Sequence, residues 1–170
     1  FRFGHPQSVD FQVVCQRTTF ASLCNEIIDA SGSANLKQTP TGHLTILSDK
    51  AKSYIITTQT QIGDLLRGNP SSRLKYSLQT CSDQYTNAKS ALEMLFWSEL
   101  NSTNYPDYIE ALGKVLDGVN GCKNAFIQYP PIPTPSPINV YIVDAKRAIE
   151  LTLQVLQLNI CNRITACKLQ

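Results

Sequence analysis

The chain has 170 residues and a mass of 18.9 kDa, the size of one domain with a core of its own. With 42% hydrophobic and 16% charged residues it is too apolar for disorder, and no apolar run is long enough to cross a bilayer. Fifteen Lys and Arg against thirteen Asp and Glu leave a formal charge of +2, which makes no electrostatic case for nucleic acid or an anionic membrane.

In chain order, Val9 to Val14 and Leu23 to Ile28 read as short amphipathic pieces around Cys15 and Cys24. The intervening residues suit a small helical hairpin closed by a disulfide. This hairpin is expected to fill residues 1–39 as an extension in front of a helical bundle over 41–170. Leu44, Leu47, Ala51, Tyr54, Ile62 and Leu65 form the first bundle stripe, with Thr58 at its one polar position and Arg67-Gly68-Asn69-Pro70 as its stop signal. Leu74, Leu78, Cys81, Tyr85, Ala88, Leu92 and Leu95 recur at alternating spacings of four and three, the pattern of a bundle helix. Ile109, Leu112, Leu116 and Val119 predict a shorter helix starting around Pro106.

Five of the nine prolines crowd into residues 129–137, which excludes helix and predicts an extended linker within one domain. Beyond it Ile138, Tyr141, Ala145, Ala148, Thr152, Val155 and Leu156 mark a final long helix. No strand-like alternation competes. The reading is all-α: an up-and-down four-helix bundle with an N-terminal helical hairpin, stapled by disulfides.

Six cysteines accompany only two histidines. An even cysteine count without metal-ligand spacing favours three disulfides over thiolate chemistry. Antiparallel packing of the second and third bundle helices would bring Cys81 and Cys122 together. Cys161 and Cys167 then remain, and a bridge between them requires the last helix to end near Asn162. The chain starts at Phe1 without a charged or apolar leader, as expected if a secretory signal has been removed. Asn101-Ser102-Thr103 is an N-glycosylation sequon. These features predict a secreted, extracellular protein.

The residues offer no catalytic set. His5 lies in a terminal segment and His43 at a helix start, so neither a zinc site nor a Ser-His-Asp arrangement is suggested. Asp107 and Glu110 are covered by the preference of helix N-termini for acids. Phosphate-binding glycine loops are absent. No enzyme activity, metal or cofactor is expected. Tyr54 and Tyr85 are expected in the core, and Tyr105 and Tyr108 at the surface. Tyr129 is expected to pack the linker onto the bundle, and Phe96-Trp97 to cover a bundle end.

Taken together, the chain resembles the plant invertase and pectin methylesterase inhibitors. The resemblance is carried by Cys15-Gln16-Arg17-Thr18-Thr19-Phe20-Ala21-Ser22-Leu23-Cys24, by Thr80-Cys81-Ser82-Asp83-Gln84-Tyr85 with Ala88 and Leu92, by Tyr105 through Asp117-Gly118 to Cys122-Lys123-Asn124-Ala125-Phe126, and by Pro130-Pro131-Ile132-Pro133-Thr134. It implies a four-helix bundle with a helical hairpin, disulfides pairing the first with the second and the third with the fourth cysteine, and location in the plant cell wall. It also implies a proteinaceous inhibitor that binds a cell-wall enzyme reversibly and one to one.

Two targets follow from the resemblance. Methylesterase inhibitors lay the bundle across the substrate cleft, whereas invertase inhibitors insert a Pro-Lys-Phe motif. The nearest equivalent here is Pro106-Asp107-Tyr108, whose acid should be repelled by a glycosidase site built on two carboxylates. That favours pectin methylesterase, with Gln84, Asn87, Tyr108, Gly121 and Asn124 as the expected contact surface. The chain departs from the family's common residues at Asn87, Lys89, Gly121 and Lys123-Asn124, and Cys161 and Cys167 lie outside its usual cysteines. Invertase inhibition is the alternative target. A non-inhibitory bundle that holds a small ligand, or serves storage or defence, is the alternative of another class.

Overall fold

The protein is described here from a computed structural model over residues 9–127 and 136–161. The described residues are helical and contain no strand. α1 (Phe11–Gln16) starts where the Asp10 carboxylate accepts from the Gln12 amide, and α2 is Ala21–Asp29. α3 (Ala34–Lys37) is a single turn capped by Ser33. α4 (Pro40–Arg67) has Thr39 as its N-cap and proline at its first position, where a missing N–H costs nothing. It stops at Gly68, and Asn69 follows at φ 53°, a left-handed conformation that Asn tolerates better than most residues.

α5 (Ser72–Glu93) is capped by Ser71. A 3₁₀ turn at Trp97–Glu99 then leads to α6 (Tyr105–Ala125), and α7 (Asn139–Cys161) closes the described chain. α4 packs on α5 and α7, and α6 packs on the same two helices, so the four form a ring of neighbours in up-and-down order. Lys52 reaches Glu93 at 3.5 Å and Gln59 reaches Thr86 at 3.4 Å, which fixes α4 and α5 as antiparallel.

The core follows the stripes. Leu44, Leu47, Ile55, Leu78, Tyr85 and Ile149 have no exposed surface. Thr58, the polar interruption in the α4 stripe, is also fully buried, and its hydroxyl donates to the Tyr54 carbonyl at 2.7 Å. Thr152 repeats this in α7 by donating to Ala148 O at 2.8 Å. Such back-bonds let a hydroxyl enter an apolar interior without an orphaned donor.

Several expectations need correction. The third bundle helix is not short: α6 has 21 residues against 22 in α5. Its buried stripe is Tyr108, Leu112, Val115, Val119 and Cys122, whereas Ile109 and Leu116 lie at its edge. Tyr108 is therefore inside, because it continues that stripe by one turn. Tyr54 is only half-buried, at the edge of a groove of about 460 Å³ between α2 and α4, with the Lys50 ammonium 4.9 Å from its ring. Trp97 covers the bundle end as expected, but Phe96 is 58% exposed.

α1 and α2 are joined by the Cys15–Cys24 disulfide, and Cys81–Cys122 joins α5 to α6. His5, Tyr129, Cys167 and the proline linker up to residue 135 lie outside the described residues, as does the side chain of Cys161.

Candidate functional site

The expected contact residues fall on α5 and α6, and their arrangement depends on how closely these helices approach. The Cys81–Cys122 bridge holds its Cα atoms 4.3 Å apart. One turn away, the buried Ser77 hydroxyl donates to Ala125 O at 2.9 Å, so the two helices run antiparallel. In the other direction along α5, the side-chain positions opposite the backbone of Gln84 are vacated by glycine. A Cβ on Gly118 would stand 3.2 Å from the Gln84 carbonyl oxygen. A Cβ on Gly121 would stand 3.2 Å from Gln84 Cδ and 3.3 Å from its Nε2. The Gln84 side chain thus lies in a shallow saddle made by two glycines one turn apart.

The structure brings Gln84 and Gly121 into contact. Asn87, one turn further along α5, and Asn124, one turn further along α6, are exposed. Glycine and amides leave this part of the seam polar. Asp83 and Asp117 are exposed and have no ion-pair partner among the described residues. The other acids nearby are engaged, Glu93 with Lys52 and Lys89, and Glu110 with Lys114.

Tyr108 is not part of this surface. Its hydroxyl donates to Phe96 O at 2.6 Å and its ring lies 5.3 Å from that of Trp97. Burial holds its phenol above the ordinary ionisation range, partly opposed by the Phe96 hydrogen bond. Pro106 and Asp107 remain exposed at the start of α6. Beside them is a hollow of about 340 Å³ lined by Met94, Leu95, Asp107, Tyr108 and Lys114 among others. Of Pro106-Asp107-Tyr108, the proline and the acid face solvent while the aromatic ring serves the fold.

Gly118 was not among the expected contact residues, although it shapes the seat of Gln84 as much as Gly121 does. The available signal was the Gly118-x-x-Gly121 spacing, two small residues on one face of a helix. Among the described residues no group of three or more His, Cys, Asp or Glu side chains could hold a metal ion.

The fold is similar to that of a mutant form (form A) of a pectin methylesterase inhibitor from Arabidopsis, with a TM-score of 0.70 and 16% identity, over 88% of this chain and 96% of that one. It is also similar to a pectin methylesterase inhibitor from Arabidopsis thaliana, with a TM-score of 0.60 and 18% identity, over 86% of this chain and 93% of that one. At these identities the likeness speaks for the fold. No curated protein sequence matches the chain. Residues 10–156 match the family model described as plant invertase/pectin methylesterase inhibitor, a stretch that includes both described disulfides, α4 to α6, most of α7 and the Gln84 saddle. The chain therefore belongs to the plant invertase/pectin methylesterase inhibitor family.

Proposed function

We propose that the protein is secreted to the plant cell wall and inhibits pectin methylesterase there by reversible one-to-one occlusion of the substrate cleft. The open face of α5 and α6 around Gln84, Asn87, Gly121 and Asn124 makes the contact. The observation that carries this reading is the seating of Gln84 on Gly118 and Gly121. It places the Gln84 amide between the exposed Asn87 and Asn124 on a polar stretch of the seam, suited to lying across a groove that binds a sugar polymer. The burial of Tyr108 argues in the same direction. A motif that must insert its aromatic ring into a sucrose-sized pocket cannot do so while that ring is packed on Trp97 and bonded to Phe96 O.

The test is a titration of plant pectin methylesterases at mildly acidic pH, with cell-wall and vacuolar invertases assayed in parallel. Methylesterase activity is expected to fall to a plateau at one equivalent. The Gln84→Ala and Asn124→Ala variants should weaken the effect without altering the fold seen by circular dichroism. A panel left fully active at micromolar excess would overturn the reading. Inhibition of invertase alone, strengthened by Asp107→Lys, would transfer the function to the other branch of the family.

A further inference from the structure

The loop between the 3₁₀ turn and α6 carries a feature that target binding does not use. Asn101-Ser102-Thr103 is the chain's one Asn-x-Ser/Thr triplet without an intervening proline, since Asn69-Pro70-Ser71 is blocked by Pro70. All three of its residues are exposed. The Asn101 side-chain carbonyl accepts from the amides of Thr103 at 2.8 Å and Asn104 at 2.9 Å, so the turn is held by the oxygen of the side chain and not by its nitrogen. Among the described residues Asn101 Nδ2 donates only to Glu99 O, at 3.2 Å. That carbonyl also accepts from Asn104 Nδ2, at 2.9 Å. Replacing one Asn101 N–H would thus leave no acceptor orphaned and the turn intact.

We infer that Asn101 carries the chain's single N-linked glycan. The inference rests on the proposed passage through the secretory pathway. The donor is a polyprenyl-pyrophosphate-linked oligosaccharide: the bond from its sugar C1 to the pyrophosphate oxygen breaks, and a bond from C1 to Asn101 Nδ2 forms. The amide proton leaves, and the lipid pyrophosphate is the leaving group, with no change of oxidation state. Because Asn101 stands just before α6, at the same bundle end as Phe96 and Met94, the glycan occupies an end of the bundle and leaves the Gln84 face open.

The full chain, directed into the secretory pathway of cultured plant cells by an added signal sequence, is purified from both medium and endoplasmic reticulum. The expected intact mass exceeds 18.9 kDa by one glycan. The increment should be lost in Thr103→Ala and in Asn101→Gln, with Asn69 unmodified. Enzymatic deglycosylation in heavy-oxygen water should leave a labelled aspartate at position 101 alone. An unmodified Asn101 in both pools, or an increment that survives Thr103→Ala, would overturn the inference. Since the added signal fixes the route, a negative result here is distinct from a failure to inhibit methylesterase.

Discussion

The α5–α6 seam and the α3–α4 junction are both places where one backbone comes unusually near another, yet they are held by opposite means. At the seam the approach is covalent and forgiving. A disulfide spans it, Ser77 bonds across it, and what faces Gly121 is the far end of a flexible Gln84 side chain. At the junction no disulfide is present among the described residues, and what faces Gly42 is main chain. A Cβ on Gly42 would run into the Leu36 carbonyl oxygen and fall 2.6 Å from the Leu36 Cα. His43 Nε2 donates to Lys37 O at 2.6 Å, and the Val9 amide donates to Gln38 O at 2.7 Å. His43 is fully buried, and its Nδ1 has no hydrogen-bond partner among the described residues. At Gly121 the candidate binding face can thus absorb a substitution by moving a side chain, whereas at Gly42 the attachment of the N-terminal helices cannot.

Removing the two disulfides separately should give the largest contrast. In the chain-entropy account, the 41-residue separation of Cys81 and Cys122 corresponds to roughly 4 kcal/mol, and the 9-residue separation of Cys15 and Cys24 to roughly 2.5 kcal/mol. Urea unfolding of the two double-alanine variants measures both, and equal losses would mean that the seam owes its stability to packing and not to the bridge. Next in size is Gly42→Ala, which overpacks against main chain and should cost about 2 to 3 kcal/mol, while Gly121→Ala only displaces Gln84 and should cost less than about 1 kcal/mol. The reverse ranking would invert the comparison.

The junction should also respond to acid in a way the seam does not. Desolvation pushes the His43 imidazole below its ordinary value of 6.5, partly opposed by its bond to Lys37 O and by the nearby Asp10 carboxylate. The unfolded chain therefore binds a proton that the folded chain resists. The neutral ring's contribution is complete above pH 6.5 and is lost as pH falls through the lower folded value. Thermal denaturation between pH 7 and pH 5 should show this slope in the wild type and a shallower one in His43→Gln, and parallel slopes would exclude His43 as its source. The smallest effect belongs to Gln154→Ala. Gln154 on α7 holds the α1–α2 turn by accepting from the Thr19 amide and donating to its hydroxyl, both at 2.9 Å on an exposed surface. Its loss should cost about 0.5 kcal/mol, with hydrogen exchange at Thr19 as the sensitive readout.

Features of period and punctuation were legible in the sequence. The α5 stripe from Leu78 to Leu92 is buried as its spacing requires, α4 ends at Arg67-Gly68-Asn69-Pro70, and both described disulfides join the cysteines expected. Features that depend on phase or register were not. In α6 the apolar residues at 108, 109, 112, 115, 116 and 119 allow two adjacent stripes, and the aromatic ring beside Trp97 decides for the one that contains Tyr108. α3 escaped because four residues cannot display a period. Gln84 and Gly121 could each be singled out, but their contact follows from the alignment of two helices, which no pattern within either helix records.

The placing of α7 bears on how the chain assembles. α5 and α6 are consecutive and find each other across residues 94–104, whereas α7 must dock onto α4, whose first residue lies 99 positions upstream of its own. Contacts of such long sequence separation carry the greater closure entropy. Docking of the last helix is therefore the expected late step of folding, and until it happens the apolar stripe of α4 stays open on the side that α7 will cover.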